Sequence, residues 1–224
     1  METSFSAPDG LTLRNAQRDF PEWHRGRPHY AVWALEVDVP PIRQHMAAAA
    51  GHLSGLLLAD YCRQPHVTLS LCGFPSACPQ HADDFGAAAL AAQLAAMRQA
   101  HPRPFDIEVG ALASFASAPY LAVQDIGGHI AMLRDCLAGG SLKEFGDPYI
   151  PHVTVGLYAD AWPLWEVQTR LASFADRDAL PLRIAGISLL SYASAHIGGA
   201  LACMARYDFQ SETLRWTDNQ PCPF

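Results

Sequence analysis

Residues 65–71 have the sequence Pro-His-Val-Thr-Leu-Ser-Leu, and residues 151–157 have the sequence Pro-His-Val-Thr-Val-Gly-Leu. These stretches, called here the first and second motif, share their first four residues and lie in different halves of the chain. In each motif apolar residues alternate with more polar ones, which is typical of a β-strand whose successive side chains point to opposite faces. The pattern therefore predicts two strands, each with a histidine and a threonine on one face and a row of Val and Leu on the other.

The segments around the two motifs also repeat in kind, which indicates a duplicated unit. A strand and then a helix precede each motif, and another helix follows it. Around the first motif we predict these elements at Tyr30–Val39, Pro41–Leu58 and Asp83–Ala100, and around the second at Tyr120–Gln124, Gly128–Ala138 and Pro163–Phe174. Asp83 or Asp84 is a candidate N-cap for the helix after the first motif. Further strands are predicted at Phe105–Phe115, Leu182–Tyr192 and Leu201–Phe209.

This order of elements predicts an α+β fold in which two antiparallel sheets, flanked by helices, face each other across a cleft. We expect residues 1–29 to form an N-terminal arm that packs near the cleft. Residues 30–209 should form one domain, and residues 210–224 a loosely held C-terminal tail.

Composition limits the class of protein. The chain has 224 residues, of which 50% are hydrophobic, so it can bury a substantial core. Its 15 Lys and Arg against 22 Asp and Glu give a formal charge of −7, which argues against a protein that coats long nucleic acid. The first ten residues show no secretory signal pattern, and no apolar stretch is long enough to span a bilayer, so we expect a cytoplasmic protein without membrane contact.

A histidine and a threonine two residues apart, presented twice, suit phosphoryl chemistry. Histidine titrates near neutral pH, so one of a pair can remove a proton from the attacking oxygen while the other protonates the leaving oxygen. The threonine hydroxyl lies roughly 6–7 Å along the strand and can donate to a non-bridging phosphate oxygen. Because this scheme needs no Lewis acid and neither motif lies near a ligand cluster, we expect no metal and no cofactor.

The two H-x-T strands resemble those of the 2H phosphoesterase superfamily, specifically its 2′-5′ RNA ligase-like members, from about Tyr30 to Phe209. The resemblance implies a bilobal fold with pseudo-two-fold symmetry, whose two motifs line a central cleft. It also implies opening of 2′,3′-cyclic phosphates or hydrolysis of 2′-5′ linkages, with reversible 2′-5′ joining of RNA in some relatives. The residues that match the family's catalytic set are His66, Thr68, His152 and Thr154.

A single H-x-[ST] match is weak evidence, since His52-Leu53-Ser54 also fits. That match lies in a predicted helix, and we interpret it as chance. The alternative for the two motifs is that they are structural strands whose histidines satisfy buried hydrogen bonds. This explanation is common for one histidine and much less so for a matched pair.

The window from Trp23 to Tyr30 is polar and aromatic and leads into the first strand. Arg25 and Arg27 are candidates to bind a phosphate, and Tyr30 is a candidate to stack on a base. The alternative is a surface arm whose arginines pair with Asp19 and Glu22. Tyr120 and Tyr149 are further stacking candidates, although each is also consistent with a packed tyrosine.

Three hypotheses follow for the function. The first is a metal-independent phosphodiesterase, a hydrolase acting on a small nucleotide or an RNA end that carries a cyclic or 2′-linked phosphate, and working as a monomer. The second is a binding module that holds such a ligand without turnover. The third is a structural protein in which the two histidines have no ligand. The sequence does not decide which histidine is the acid and which the base.

Overall fold

A computed structural model describes residues 10–138, 149–176 and 178–218 of the chain. The helices are α1 (Pro21–His24), α2 (Pro40–His52), α3 (Ala87–Ala100), α4 (His129–Leu137) and α5 (Leu164–Ser173). The strands are β1 (His29–Glu36), β2 (His66–Pro75), β3 (Asp84–Phe85), β4 (Phe105–Ser114), β5 (Pro119–Gln124), β6 (His152–Thr154), β7 (Leu180–Ile184), β8 (Gly186–Ala193), β9 (Ala202–Asp208) and β10 (Thr213–Trp216). None of the described helices has the length and apolarity needed to cross a membrane.

The strands form two sheets within the described residues. The large sheet has the order β10-β9-β8-β1-β2-β3, and the small sheet has the order β6-β5-β4-β7. Neighbouring strands are antiparallel, apart from the short parallel pair of β2 and β3. The predicted fold class is therefore confirmed: two antiparallel-rich sheets with helices form a two-lobed α+β structure.

The duplication is visible in how the motif strands pair. In each lobe the strand that precedes a helix pairs with the motif strand that follows that helix, β1 with β2 and β5 with β6. The residues that lie opposite each other are Glu36 and His66, Ala34 and Thr68, Ala122 and His152, and Tyr120 and Thr154. The two motifs thus begin at equivalent places in the two lobes.

One face of each motif strand lies in the core. Val67 and Leu69 of β2 are 0% and 1% exposed, and Val153 and Val155 of the second motif are equally buried. All four belong to one continuous apolar cluster to which both lobes and helices α2, α3 and α4 contribute. The sequence pattern assigned these faces correctly, so the histidines and threonines lie on the faces turned away from this core.

A buried polar bridge joins the lobes. The indole N–H of Trp33 in β1 donates to the side-chain oxygen of Gln93 in α3 at 2.8 Å, and the Gln93 amide donates to the carbonyl of Leu137 in α4 at 3.0 Å. Gln93 is 1% exposed. Because a buried indole N–H and a buried carbonyl both need partners, this side chain fixes α4 of the second lobe against α3 and β1 of the first.

The predicted strand Leu182–Tyr192 is in fact two strands in different sheets. β7 pairs with β4 of the small sheet, whereas β8 pairs with β1 and β9 of the large sheet, so the chain passes from one sheet to the other at Ala185. A Cβ on Gly186 would lie 2.3 Å from the Tyr207 carbonyl oxygen, so the start of β8 requires glycine. The alternation of apolar residues continues from β7 into β8, so the sequence does not reveal the change of sheet.

Two predicted helix boundaries were also wrong. α3 begins after Gly86, and Asp84 instead lies in β3, where its carboxylate accepts the backbone N–H groups of Gln80 and His81. α2 ends at His52 because the following residues hydrogen-bond with residues 157–159 of the second lobe. The additional match His52-Leu53-Ser54 therefore begins at the end of a helix and not on a strand. The His52 Nε2–H donates to the Arg170 carbonyl on α5 at 2.7 Å.

Both ends of the chain pack on the domain where they are described. Residues 213–216 form β10, which pairs with β9 at the edge of the large sheet, so the predicted tail contributes a strand. The arm hydrogen-bonds to residues 116 and 162 through the backbone N–H groups of Leu13 and Thr12. The arm continues into α1, where the centre of the Trp23 ring lies 5.2 Å from the centre of the Tyr30 ring. Residues 1–9 and 219–224 lie outside the described residues.

We predict that Gln93→Ala lowers the free energy of unfolding by about 2–3 kcal/mol, because it leaves the Trp33 N–H and the Leu137 carbonyl buried without this partner. Gln99→Ala is the matched control, since Gln99 is exposed on the same helix. Urea unfolding of both variants measures the difference. Equal stability of the two variants would show that the bridge is not important for the fold.

Candidate active site

The first motif histidine is held at the start of β2. His66 is 8% exposed, on the face of the strand opposite to Val67 and Leu69. Its Nδ1–H donates to the carbonyl of Gln64 at 2.8 Å. Because a carbonyl only accepts, the proton of the neutral ring is on Nδ1, and Nε2 is the nitrogen that can accept a proton.

The second motif repeats this contact. His152 donates from Nδ1 to the carbonyl of Ile150 at 2.8 Å, again two residues earlier. The same hydrogen bond in both lobes orients both rings and selects the same tautomer. The environments differ, however, because His66 is buried, whereas His152 lies on β6, an edge strand of the small sheet, and is only partly buried.

The electrostatics of the first histidine are dominated by burial. The pKa of His66 is lowered to about 4, mainly by loss of water around the ring and to a smaller extent by the positive charges of Arg63 and His152, while the hydrogen bond to Gln64 opposes the shift. This coupling means that the two motif histidines lie within electrostatic range of each other. At neutral pH the His66 ring is therefore unprotonated.

Tyr61 and Arg63, which precede the first motif, belong to this cluster and were missed by sequence reasoning. The guanidinium of Arg63 lies 4.0 Å from the centre of the Tyr192 ring. Burial raises the pKa of Tyr61 to about 12, and its interactions with Arg63 and with the Thr154 hydroxyl oppose the shift. Tyr61 therefore connects the approach to the first motif with the threonine of the second. Its ring packs against Gly198, where a Cβ would lie 2.9 Å from Cδ2.

Aromatic rings surround the second motif histidine. Phe115 stacks on Tyr120 with ring centres 4.2 Å apart, and both rings are edge-on to His152, at 4.9 and 5.5 Å. Tyr149 lies 6.4 Å from His152, and its hydroxyl donates to the Thr68 carbonyl. Tyr120 and Tyr149 thus lie near His152, and Tyr149 also links the two motifs, while stacking of either ring on a base stays a prediction.

The residues predicted in the N-terminal arm are arranged differently. Arg27 donates to the carboxylates of Asp83 and Asp84 at 2.7 Å, so its charge is already paired. The Tyr30 ring is 4% exposed, under Trp23 and edge-on to Phe74. This geometry argues against a phosphate contact from Arg27 and base stacking on Tyr30.

The alternative pairing proposed for the arm arginines is not found either. Asp19 contacts His24, and Glu22 pairs with Arg18. Arg25 is exposed at the C-terminal end of α1 in a left-handed conformation. A ligand contact from Arg25 stays a prediction.

A carboxylate also lies on the large sheet directly opposite His66. Glu36 accepts two hydrogen bonds from Arg206, each of 3.0 Å, and a third from the Ser188 hydroxyl. Its charge is therefore compensated by Arg206. Within the described residues, no three His, Cys, Asp or Glu side chains are grouped as ligands of a metal ion.

The signal for the missed residues was present but not distinctive. Tyr61 and Arg63 precede His66 in the run Tyr-Cys-Arg-Gln-Pro-His, and an arginine close to a catalytic histidine is a reasonable candidate for binding an anion. Phe115 carries no such signal, because nothing distinguishes it from a core aromatic residue until β4 and β5 are paired.

Comparison with known proteins gives one family and several similar structures. The family described as the 2′-5′ RNA ligase superfamily matches residues 36–196. No curated protein matches the sequence.

The similar structures have low sequence identity. The protein TT0787 of Thermus thermophilus is 14% identical with a TM-score of 0.52, and E. coli LigT complexed with 3′-AMP is 15% identical with a TM-score of 0.51. A structure described as a phosphoesterase is 16% identical with a TM-score of 0.50. Each comparison covers 81% of this chain and 98% of the other. At these identities the likeness concerns the fold.

We predict that His66 stays neutral at pH 7 with its proton on Nδ1 and titrates with a pKa of about 4. Nitrogen-15 NMR of the imidazoles measures both properties, and His66→Gln identifies the resonance. Because burial disfavours the charged ring, protonation should come only well below the ordinary histidine value of about 6.5. Titration of His66 near that ordinary value would contradict the described environment.

Proposed function

The chain belongs to the 2′-5′ RNA ligase superfamily, and on that premise we propose that it is a metal-independent phosphodiesterase that opens 2′,3′-cyclic phosphates or cleaves 2′-5′ linkages of nucleotides or RNA ends. The observation that carries the proposal is the matched pair of histidines. Each begins a motif strand, each donates Nδ1–H to the carbonyl two residues earlier, and the charge of His152 lowers the pKa of His66.

The two environments favour different roles for the two histidines. His66 is buried and unprotonated at neutral pH, so we assign it as the base that takes a proton from the attacking water. His152 is less buried, and we assign it as the acid that protonates the leaving ribose oxygen. The water oxygen bonds to phosphorus as the phosphorus–ribose oxygen bond breaks. In the joining direction a ribose hydroxyl replaces water.

The threonines complete the proposed site. Thr68 and Thr154 lie on the same strand faces as the two histidines, two residues further along. Their hydroxyls can donate to the non-bridging oxygens, where negative charge increases in the transition state. Tyr61 interacts with the Thr154 hydroxyl, and this interaction would orient the proton of the Thr154 hydroxyl.

The ligand class is the part of the proposal that needs the most direct test. E. coli LigT, which shares the fold, has been crystallised with 3′-AMP, and a nucleotide with one phosphate is therefore a suitable first ligand. The cytoplasmic location and the monomeric state expected from the sequence stay predictions.

We predict that His66→Ala and His152→Ala each lower kcat by a factor of about 10²–10⁴, the usual contribution of a general acid or base. The assay uses 2′,3′-cyclic nucleotides and 2′-5′ dinucleotides with chelator present, and identifies the phosphate position in the product. His101→Ala is the control, because His101 is exposed and paired with Glu212.

Each outcome of this assay is informative. Loss of wild-type activity in chelator would contradict the metal-free scheme. Full activity of either motif variant would contradict the two-histidine mechanism. Tight nucleotide binding by the wild-type protein without any product would favour the binding module instead.

We also predict the direction of the pH dependence. Because the base must be unprotonated, kcat/KM should be lost as the pH falls through the pKa of His66 in the free enzyme, about 4. Activity should fall again at higher pH, as the acid loses its proton. Steady-state measurement of kcat/KM from about pH 3.5 to about pH 9 covers the loss of activity at low pH and at high pH. If kcat/KM is instead lost with a midpoint near the ordinary histidine pKa of about 6.5, His66 is not the base.

A further inference from the structure

Arg63 has a hydrogen-bond donor for which the described residues provide no acceptor. It lies three residues before His66, with its guanidinium against the face of the Tyr192 ring. The Nε atom is buried and has no hydrogen-bond partner among the described residues. Stacking on Tyr192 holds the plane of the guanidinium but leaves this N–H without an acceptor.

An unused buried N–H on a charged group is unfavourable for the folded protein. Such a donor costs about 1–3 kcal/mol when no acceptor replaces water, and few are found in native structures. An arginine in this state is explained if an anionic ligand supplies the acceptor. The positive charge of Arg63 also reaches both Tyr61 and His66, whose pKa values it lowers, so the anion would be bound beside the proposed base.

Other described arginines near the two sheets are already engaged. Arg27 pairs with Asp83 and Asp84, and Arg206 pairs with Glu36. Arg134 donates to the Leu69 carbonyl at 2.6 Å and lies 3.5 Å from the centre of the Tyr149 ring. Arg63 differs from these three, since its buried Nε–H has no acceptor among the described residues.

We propose that Arg63 binds the phosphate of the substrate through its Nε–H and an adjacent N–H, and so makes this site selective for nucleotides that carry a phosphate on the ribose ring over the corresponding nucleosides. The inference rests on the proposed function for the location of the phosphate. Two parallel N–H groups match two non-bridging oxygens, which is the geometry that arginine provides and lysine does not.

The test compares a ligand with and without phosphate. Isothermal titration calorimetry measures binding of 3′-AMP and of adenosine to the wild-type protein, Arg63→Gln and Arg63→Lys. The wild-type protein should bind 3′-AMP more tightly than adenosine. Arg63→Gln should weaken 3′-AMP binding by about 10–100-fold, the range for lost charged hydrogen bonds, and leave adenosine binding unchanged. Arg63→Lys should recover only part of the loss.

Arg183→Gln is the matched control, because it removes the same charge from an exposed pair with Asp106. It should bind both ligands as the wild-type protein does. The proposal is overturned if Arg63→Gln weakens both ligands equally, which indicates a structural role, or if the wild-type protein shows no preference for 3′-AMP.

The failure of this inference can be separated from the failure of the proposed function. If no substrate is turned over but Arg63→Gln removes the preference for 3′-AMP, the phosphate site stands and the enzymatic proposal fails. If the histidine variants abolish turnover but Arg63→Gln binds 3′-AMP as tightly as the wild-type protein, the enzymatic proposal stands and the role of Arg63 is refuted.

Discussion

The alternation of side chains along two short strands is the constraint on which the site depends. Val67 and Leu69 cannot enter the core unless His66 and Thr68 point to the other face, and Val153 and Val155 impose the same on His152 and Thr154. A shift of one residue would expose apolar side chains, each of which contributes about 1.5–3 kcal/mol by burial, and would turn the histidines towards the apolar core. Packing of the core therefore determines the position of the reactive groups, and each Nδ1 hydrogen bond to the carbonyl two residues earlier determines which nitrogen of the ring can react.

The duplicated units are alike in backbone and different in environment. His66 lies at the start of β2 beside β1, while β3 pairs only with the far end of β2, and His152 lies on β6 at the edge of the small sheet. Of the two rings, His66 is the more buried. A symmetric pair of histidines would have similar affinities for protons and no preferred direction of proton transfer. Burial lowers the proton affinity of His66, and this is the physical basis for assigning that ring as the base.

The sequence predicted the parts of the structure that are governed by local periodicity. The motif strands, their inner and outer faces, and the strand before each motif are found close to the predicted positions, and so is the helix before the second motif, whereas α2 ends earlier than predicted. The predictions that failed concern partners distant in the chain. Nothing in the sequence around Ala185 shows that β7 and β8 join different sheets, and nothing around Arg27 shows that Asp83 and Asp84 lie beside it. Arg63 was overlooked for the same reason: its importance comes from Tyr192 and from an unused buried N–H, which depend on the tertiary structure.

The position of Arg63 next to an unprotonated histidine has a consequence for the order of events in the proposed reaction. Before a ligand binds, the charge of Arg63 and the burial of the ring both lower the pKa of His66, so the base is unprotonated but weak. A phosphate anion bound to Arg63 compensates that charge and adds a negative charge beside the ring. Both changes raise the pKa of His66. In the proposed mechanism the substrate would thereby strengthen the base at the step in which it accepts a proton, whereas without a ligand His66 is unprotonated at neutral pH.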